Sequence, residues 1–158
     1  MEVISMRDLA SPGRGAENIG TRLQVLTINN EGHDCASLRS IMRHTNWVFH
    51  CVPDLAKALE FLGRHFVPVI VCSKELPDAT WKDVVAAMAR FPIPPKVLVY
   101  SHQADDAFWM EVLKSGAYDL LPAPFSAEEV LRLVSLACRK WKDDAKIAEK
   151  PLALKAAG

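Results

Sequence analysis

Hydrophobic residues along the chain gather in five short runs, separated by stretches in which apolar residues recur at helical spacing. The runs are LQVLTI (23–28), WVFHCV (47–52), VPVIVCS (67–73), KVLVYS (96–101) and YDLLP (118–122). Each is too short for a helix and mostly continuous rather than alternating, which is the signature of a strand covered on both faces. Between the runs, Cys35, Leu38, Ile41 and Met42 share one helical face, and so do Leu55, Ala58, Leu59 and Leu62. Trp81, Val84, Val85 and Met88 form a third stripe. Phe108, Trp109, Val112 and Leu113 form a fourth, with Trp109 expected in the core and Gly116 placed as C-terminal cap. In the fifth helix, Ser126 reads as N-cap, Glu129 as its capping-box partner, and Phe125 and Val130 as a hydrophobic staple. Its buried stripe is Val130, Val134, Ala137 and Trp141; Leu131 and Cys138 flank that stripe and Leu136 lies opposite.

Strands alternating with helices through short connections predict an α/β fold: a doubly wound, five-stranded parallel sheet covered by five helices, flavodoxin-like in its order 2-1-3-4-5. The organised part runs from about residue 21 to residue 142. Residues 1–20 lack periodicity and read as a flexible arm, and residues 143–158 as a helix extension with a frayed tail.

Composition adds mainly exclusions. Half of the 158 residues are hydrophobic and 24% are charged, which suits one globular domain. Nineteen basic and nineteen acidic residues cancel, so the bulk charge predicts neither nucleic acid nor membrane as partner. Cysteines 35, 51, 72 and 138 include no CxxC pair, which is neither a zinc spacing nor a disulfide framework, and Cys51 and Cys138 have no visible partner. With no signal-like or membrane-length apolar segment, the expected location is the cytoplasm.

The chemistry, if any, belongs at the carboxyl ends of the strands. There, VIVCSKELPD (69–78) ends a buried strand at Ser73 and turns through a charged loop to Pro77. The chain resembles the CheY-like receiver domain of two-component response regulators, over residues 22 to 142. SKELP resembles the family's D-x-x-[ML]-P, VLVYS its fourth strand ending in Thr or Ser, and KSGAYDLLPAPF its GA-x-[DG]-Y-[LV]-x-K-P-F with a cis bond before Pro.

The resemblance implies a site of five reactive positions, with an aromatic switch position beside them. Two acidic residues that hold Mg²⁺ fall on Asn29 and Asn30, and the phosphoacceptor Asp falls on Ser73. The switch hydroxyl falls on Ser101, the Lys that pairs with phosphate on Ala123, and the aromatic switch residue on Leu120, near Tyr118. Only Ser101 keeps the expected chemistry. Three carboxylates and an ammonium have become Asn, Asn, Ser and Ala, with no charge to draw Mg²⁺ from water and no activated nucleophile. The expectation is therefore a degenerate pseudo-receiver that is not phosphorylated, needs no cofactor, and binds Mg²⁺ weakly or not at all.

Three rival readings use the same loops. Ser73 with His33 or His102 as base would make a small hydrolase, although nothing in the sequence places a residue to orient either histidine. Glu31 and Glu75, with His33, Asp34 and His102, would make a displaced metal site. A still-regulated receiver would use serine phosphorylation or another ligand in the remodelled pocket. Cys72, inside an apolar strand, reads as a small hydrophobe rather than a redox sensor. A silent pocket moves function to a surface, for which the helix 4–strand 5–helix 5 face, with Leu120, Leu131, Arg132, Leu136 and Arg139, is the candidate. Its expected partner is a histidine kinase, response regulator or output protein, or a second copy of the chain. No helix-turn-helix or catalytic output segment follows, so output is expected to pass through that partner.

Overall fold

The computed structural model describes residues 22–157, and side chains from 22 to 148. The strands are β1 (Gln24–Ile28), β2 (Val48–Val52), β3 (Val69–Ser73), β4 (Lys96–Ser101) and β5 (Asp119–Pro122). They alternate with α1 (Gly32–Met42), α2 (Leu55–Leu62), α3 (Trp81–Met88), α4 (Asp106–Lys114) and α5 (Ala127–Ala157). All pairings are parallel, in the order β2-β1-β3-β4-β5. That is the expected topology. The proposed N-terminal arm, residues 1–20, lies outside the described residues.

The two-residue period of the strands divides the core into two layers. Leu26, Ile28, Ile70, Cys72, Val97 and Val99 face α2, α3 and α4, where Ala58, Val84, Met88, Phe108 and Val112 cover them. Val25, Val69, Val71, Leu98, Tyr100 and Leu121 face α1 and α5, where Leu38, Met42, Val130, Leu133, Val134 and Ala137 close the second layer. The central strands β1, β3 and β4 are thus buried on both faces, while the edge strand β2 is only half-buried.

Helix ends follow local chemistry. Asp54 and Asp105 accept backbone N–H groups at the starts of α2 and α4, from Lys57 and Phe108 at 2.8 Å each. Before α3, the Thr80 N–H donates to the Asp83 carboxylate, a capping-box contact not anticipated from sequence. At α5, Ser126 Oγ accepts from the Glu129 N–H at 3.4 Å, but the Glu129 carboxylate takes the Arg132 guanidinium instead of closing the box. Gly116, just past α4, has φ +102, a left-handed conformation that suits glycine at a helix end.

Several side chains depart from the expected stripes. Trp109 is not core: it is 43% exposed and donates its indole N–H to Asp119 at 2.8 Å. Leu59 and Leu113 are likewise exposed, because short helices on a sheet bury a narrower strip than the apolar pattern suggests. Leu133 and Cys138 are buried in the second layer, so the buried face of α5 is rotated relative to the predicted one. Cys35 is no core residue either. It is half-buried and paired in a disulfide with Cys51 on β2, correcting the expectation that Cys51 lacked a partner.

Candidate functional site

The first residue positions of the predicted site are set by strand ends. Ile28 finishes β1 in the core, and the next residue, Asn29, stays buried, with its N–H donating to Val52 O at 3.0 Å. The Asn29 side chain turns back on its own loop: Oδ1 accepts the Glu31 N–H at 3.1 Å. Its buried Nδ2 has no hydrogen-bond partner among the described residues. Asn30 and Glu31 point to solvent. Ser73 ends β3 half-buried, and Lys74 after it donates its N–H to Tyr100 O at 3.1 Å. The Lys74 ammonium is drawn off over the Phe108 ring, 4.4 Å from its centroid. Ser101 ends β4 and accepts the Gln103 N–H at 3.0 Å. Ala123 follows β5, donates its N–H to Ser101 O at 3.0 Å, and precedes Pro124 through a cis peptide bond.

The centre of the constellation holds Tyr100, which sequence reasoning did not single out, and Asp34, which it named only for a displaced metal site. Asp34, in the first turn of α1, is only 6% exposed. Its carboxylate accepts the Tyr100 hydroxyl at 3.0 Å and meets His102 Nε2 at 3.2 Å. Tyr100 is 2% exposed, and its ring stands edge-on to Phe125 with centroids 5.0 Å apart. Ser73 on β3 stands opposite Tyr100 on β4 in the sheet register. Burial, and next the Asp34 charge, push the Tyr100 hydroxyl well above the usual phenol range, so the ring stays a neutral donor. One signal was available: Asp34 lies four residues before Leu38, on the same buried helical face.

Asp34 also corrects the view that no residue orients a catalytic histidine, since it holds the exposed His102 ring by one nitrogen. Ser73 nevertheless pairs in register with Tyr100 and not with His102. His33 is exposed at the start of α1.

The loop carboxylates Glu31 and Glu75 are both exposed, and among the described residues no group of three or more His, Cys, Asp and Glu is placed to hold a metal ion. The Asp34 carboxylate already receives two groups, and the Asn29 amide oxygen already receives a backbone N–H. A groove of about 330 Å³ lies at the other end of the sheet, lined by Leu62, Phe91, Ile93 and Trp141 among others, and shares no residue with the constellation.

On the proposed interaction face, Leu120 is a correction. It is 6% exposed and packed in the first core layer, because its β5 position points under α4 rather than outward. Leu131 is half-buried, while Arg132, Leu136 and Arg139 are exposed. The larger apolar surface is on α4: Trp109, Met110 and Leu113.

The five-stranded sheet, with its order and crossovers, matches solved structures over most of the chain. The signal receiver domain attributed to a LuxO repressor protein of Vibrio parahaemolyticus superposes with a TM-score of 0.73 at 20% identity, covering 80% of this chain and 97% of that one. The chain has the receiver fold. The beryllofluoride-activated NtrC4 receiver domain dimer gives a TM-score of 0.67 at 24% identity, covering 75% of this chain and 98% of that one. The transcriptional regulatory protein CutR, from Streptomyces coelicolor and from Streptomyces lividans, is 29% identical over 112 residues. That match covers 71% of this chain and 52% of CutR, so the chain spans about half the length of these relatives. No family model matches the chain. Among the described residues, no helix is long and apolar enough to cross a membrane.

Proposed function

We propose that the chain is a receiver-like signalling module that has given up aspartyl-phosphate chemistry and acts by contact with another signalling protein. One observation carries this reading: the Tyr100 hydroxyl is bound to Asp34 and Tyr100 pairs in register with Ser73, so the position of the phosphoacceptor lies beside a neutral, hydrogen-bonded phenol. The residues at the reactive positions supply no carboxylate at Asn29, Asn30 or Ser73 and no ammonium at Ala123. Mg²⁺ demands several hard oxygen ligands and negative charge. Asp34, engaged by Tyr100 and His102, is a poor substitute for the missing pair.

Output then rests on the surface around β5. Trp109, Met110 and Leu113 on α4 and Leu136 on α5 flank this edge strand, with Arg132 and Arg139 beside Leu136. Apolar residues beside the exposed Arg139, with Arg132 paired to Glu129, suit a partner surface with an apolar centre and polar edge, whether on a kinase, a regulator, an output protein or a second copy.

The test is incubation with acetyl phosphate and Mg²⁺, followed by intact mass and thermal melting with a phosphoryl mimic. The expected result is an unchanged mass and an unchanged Tm. Stoichiometric phosphate on Ser73, or Mg²⁺-dependent stabilisation by several degrees, overturns the proposal in favour of a receiver that is still modified.

A further inference from the structure

Cys35 on α1 and Cys51 on β2 are 16 residues apart in sequence, and the fold brings their Cα atoms to 6.6 Å. That lies within the span of about 4.4–6.8 Å over which disulfides form without moving the backbone. We propose that this pair is a reversible modification site, a dithiol oxidised by small-molecule disulfides, through which redox state acts on the turn of α1 that carries Asp34.

Access and local charge separate this pair from the other thiols. Cys35 and Cys51 are both half-buried and reachable by a small reagent. Cys72 and Cys138 are buried, and burial pushes their thiols up to about 12 and about 11, leaving little reactive thiolate at neutral pH. Arg39, one turn beyond Cys35, brings its guanidinium to 3.9 Å from the Cys35 sulphur. The same guanidinium sits over the Phe49 ring at 5.0 Å, and Phe49 precedes Cys51 by two residues on β2, so a strand anchors the cation beside the sulphur pair. A fixed cation stabilises the thiolate, the attacking form.

The exchange balances without a further reagent. The Cys35 thiolate attacks one sulphur of oxidised glutathione, forming a mixed disulfide and expelling one glutathione thiolate. The Cys51 thiolate then attacks the Cys35 sulphur and expels the second. Two protein thiols are oxidised, the glutathione disulfide is reduced, and the two protons end on the released glutathiones.

Position gives the bond a consequence. Asp34, adjacent to Cys35, ties α1 to β4 through Tyr100 and His102. Val52, adjacent to Cys51, accepts the Asn29 N–H from the β1–α1 turn. Closing Cys35–Cys51 therefore clamps the same turn of α1 from the other edge of the sheet. This inference does not depend on whether Ser73 is silent.

The test uses the full chain, reduced, freed of reductant and treated with oxidised glutathione. The expected chain loses two hydrogens, carries no glutathione, and on denaturing alkylation labels only Cys72 and Cys138. Cys51→Ser is expected to retain one glutathione on Cys35. Amide exchange across α1 should slow by about tenfold or more in the oxidised wild-type chain. Retained glutathione on both cysteines, a bond between chains, or four thiols still open to alkylation overturns the site. A disulfide that forms without slowing exchange in α1 overturns its coupling to Asp34.

Discussion

Tyr100 puts an aromatic ring, a neutral hydroxyl and a buried carboxylate into one compact arrangement, and its two functions can be separated by substitution. Tyr100→Phe keeps the ring and its edge contact with Phe125 but removes the hydroxyl from Asp34. A buried carboxylate that loses a donor costs about 1–3 kcal/mol, so urea unfolding should show a lower midpoint with an unchanged slope. The pH dependence follows from the raised hydroxyl. In the unfolded chain the phenol ionises near pH ~10, whereas in the folded chain it stays protonated. The folded state therefore binds more protons above that pH, and stability falls as pH rises. Tyr100→Phe should flatten that alkaline loss relative to wild type. A variant as stable as wild type, with the same alkaline slope, would show that Asp34 gains nothing from the hydroxyl. The residues around this ring also show what a chain can reveal before folding. Asn29, Ser73, Ser101 and Ala123 were legible because each ends or follows a strand, and strand ends converge in a parallel sheet. The bonds of Asp34 to Tyr100 and His102 span 66 and 68 residues and exist only once β1, β3 and β4 align.

At the scale of elements, α5 shows how a helical face is decided by its neighbours. Its sequence contains more apolar residues than one stripe needs, and periodicity alone selected Trp141 and left Leu133 unassigned. The second core layer settles it. Leu133 is 2% exposed and Leu136 is 37% exposed, three residues apart on one helix. Leu133→Ala should cost about 2–5 kcal/mol through lost contacts and an unfilled cavity. Leu136→Asp should move stability by less than about 0.5 kcal/mol, as surface substitutions do. The same Leu136→Asp, combined with Leu113→Asp on α4, should abolish retention of the native partner in a pull-down or dissociate a dimer in sedimentation. Unaltered binding by the folded double variant would move the interaction surface away from β5. The strands were easier to read than this helix because a doubly buried strand must be apolar throughout. An amphipathic helix leaves its rotation open until packing fixes it. Cys35 and Cys51 escaped notice for a related reason: a spacing of 16 residues has meaning only after α1 docks on β2.

Across the whole molecule, the dependence of receiver chemistry on the residues at the strand ends can be measured. Ser73→Asp returns the carboxylate at the end of β3, the simplest repair of the pocket. It should not be enough. The new carboxylate would face the Tyr100 hydroxyl and the nearby Asp34 charge, with Asn29 and Asn30 contributing no charge to hold Mg²⁺ and Ala123 contributing no ammonium. Placing like charges in a partly buried pocket disfavours both ionised forms. Acetyl phosphate with Mg²⁺ should therefore leave the single variant unlabelled, and its Tm should not rise with Mg²⁺. Adding Asn29→Asp, Asn30→Asp, Ala123→Lys and Tyr100→Val rebuilds the charge set and vacates the ring. In that background Mg²⁺ should raise the Tm by several degrees, since a ligand bound only to the folded state stabilises it in proportion to RT ln(1 + [L]/Kd). Labelling of the Ser73→Asp chain alone would mean that the pocket differs from a working receiver by one atom group, and that Tyr100 and Asp34 are no obstacle to phosphorylation. Recovery only in the combined variant would assign the loss of chemistry to the pocket as a unit, with the sheet and helices unchanged beneath it.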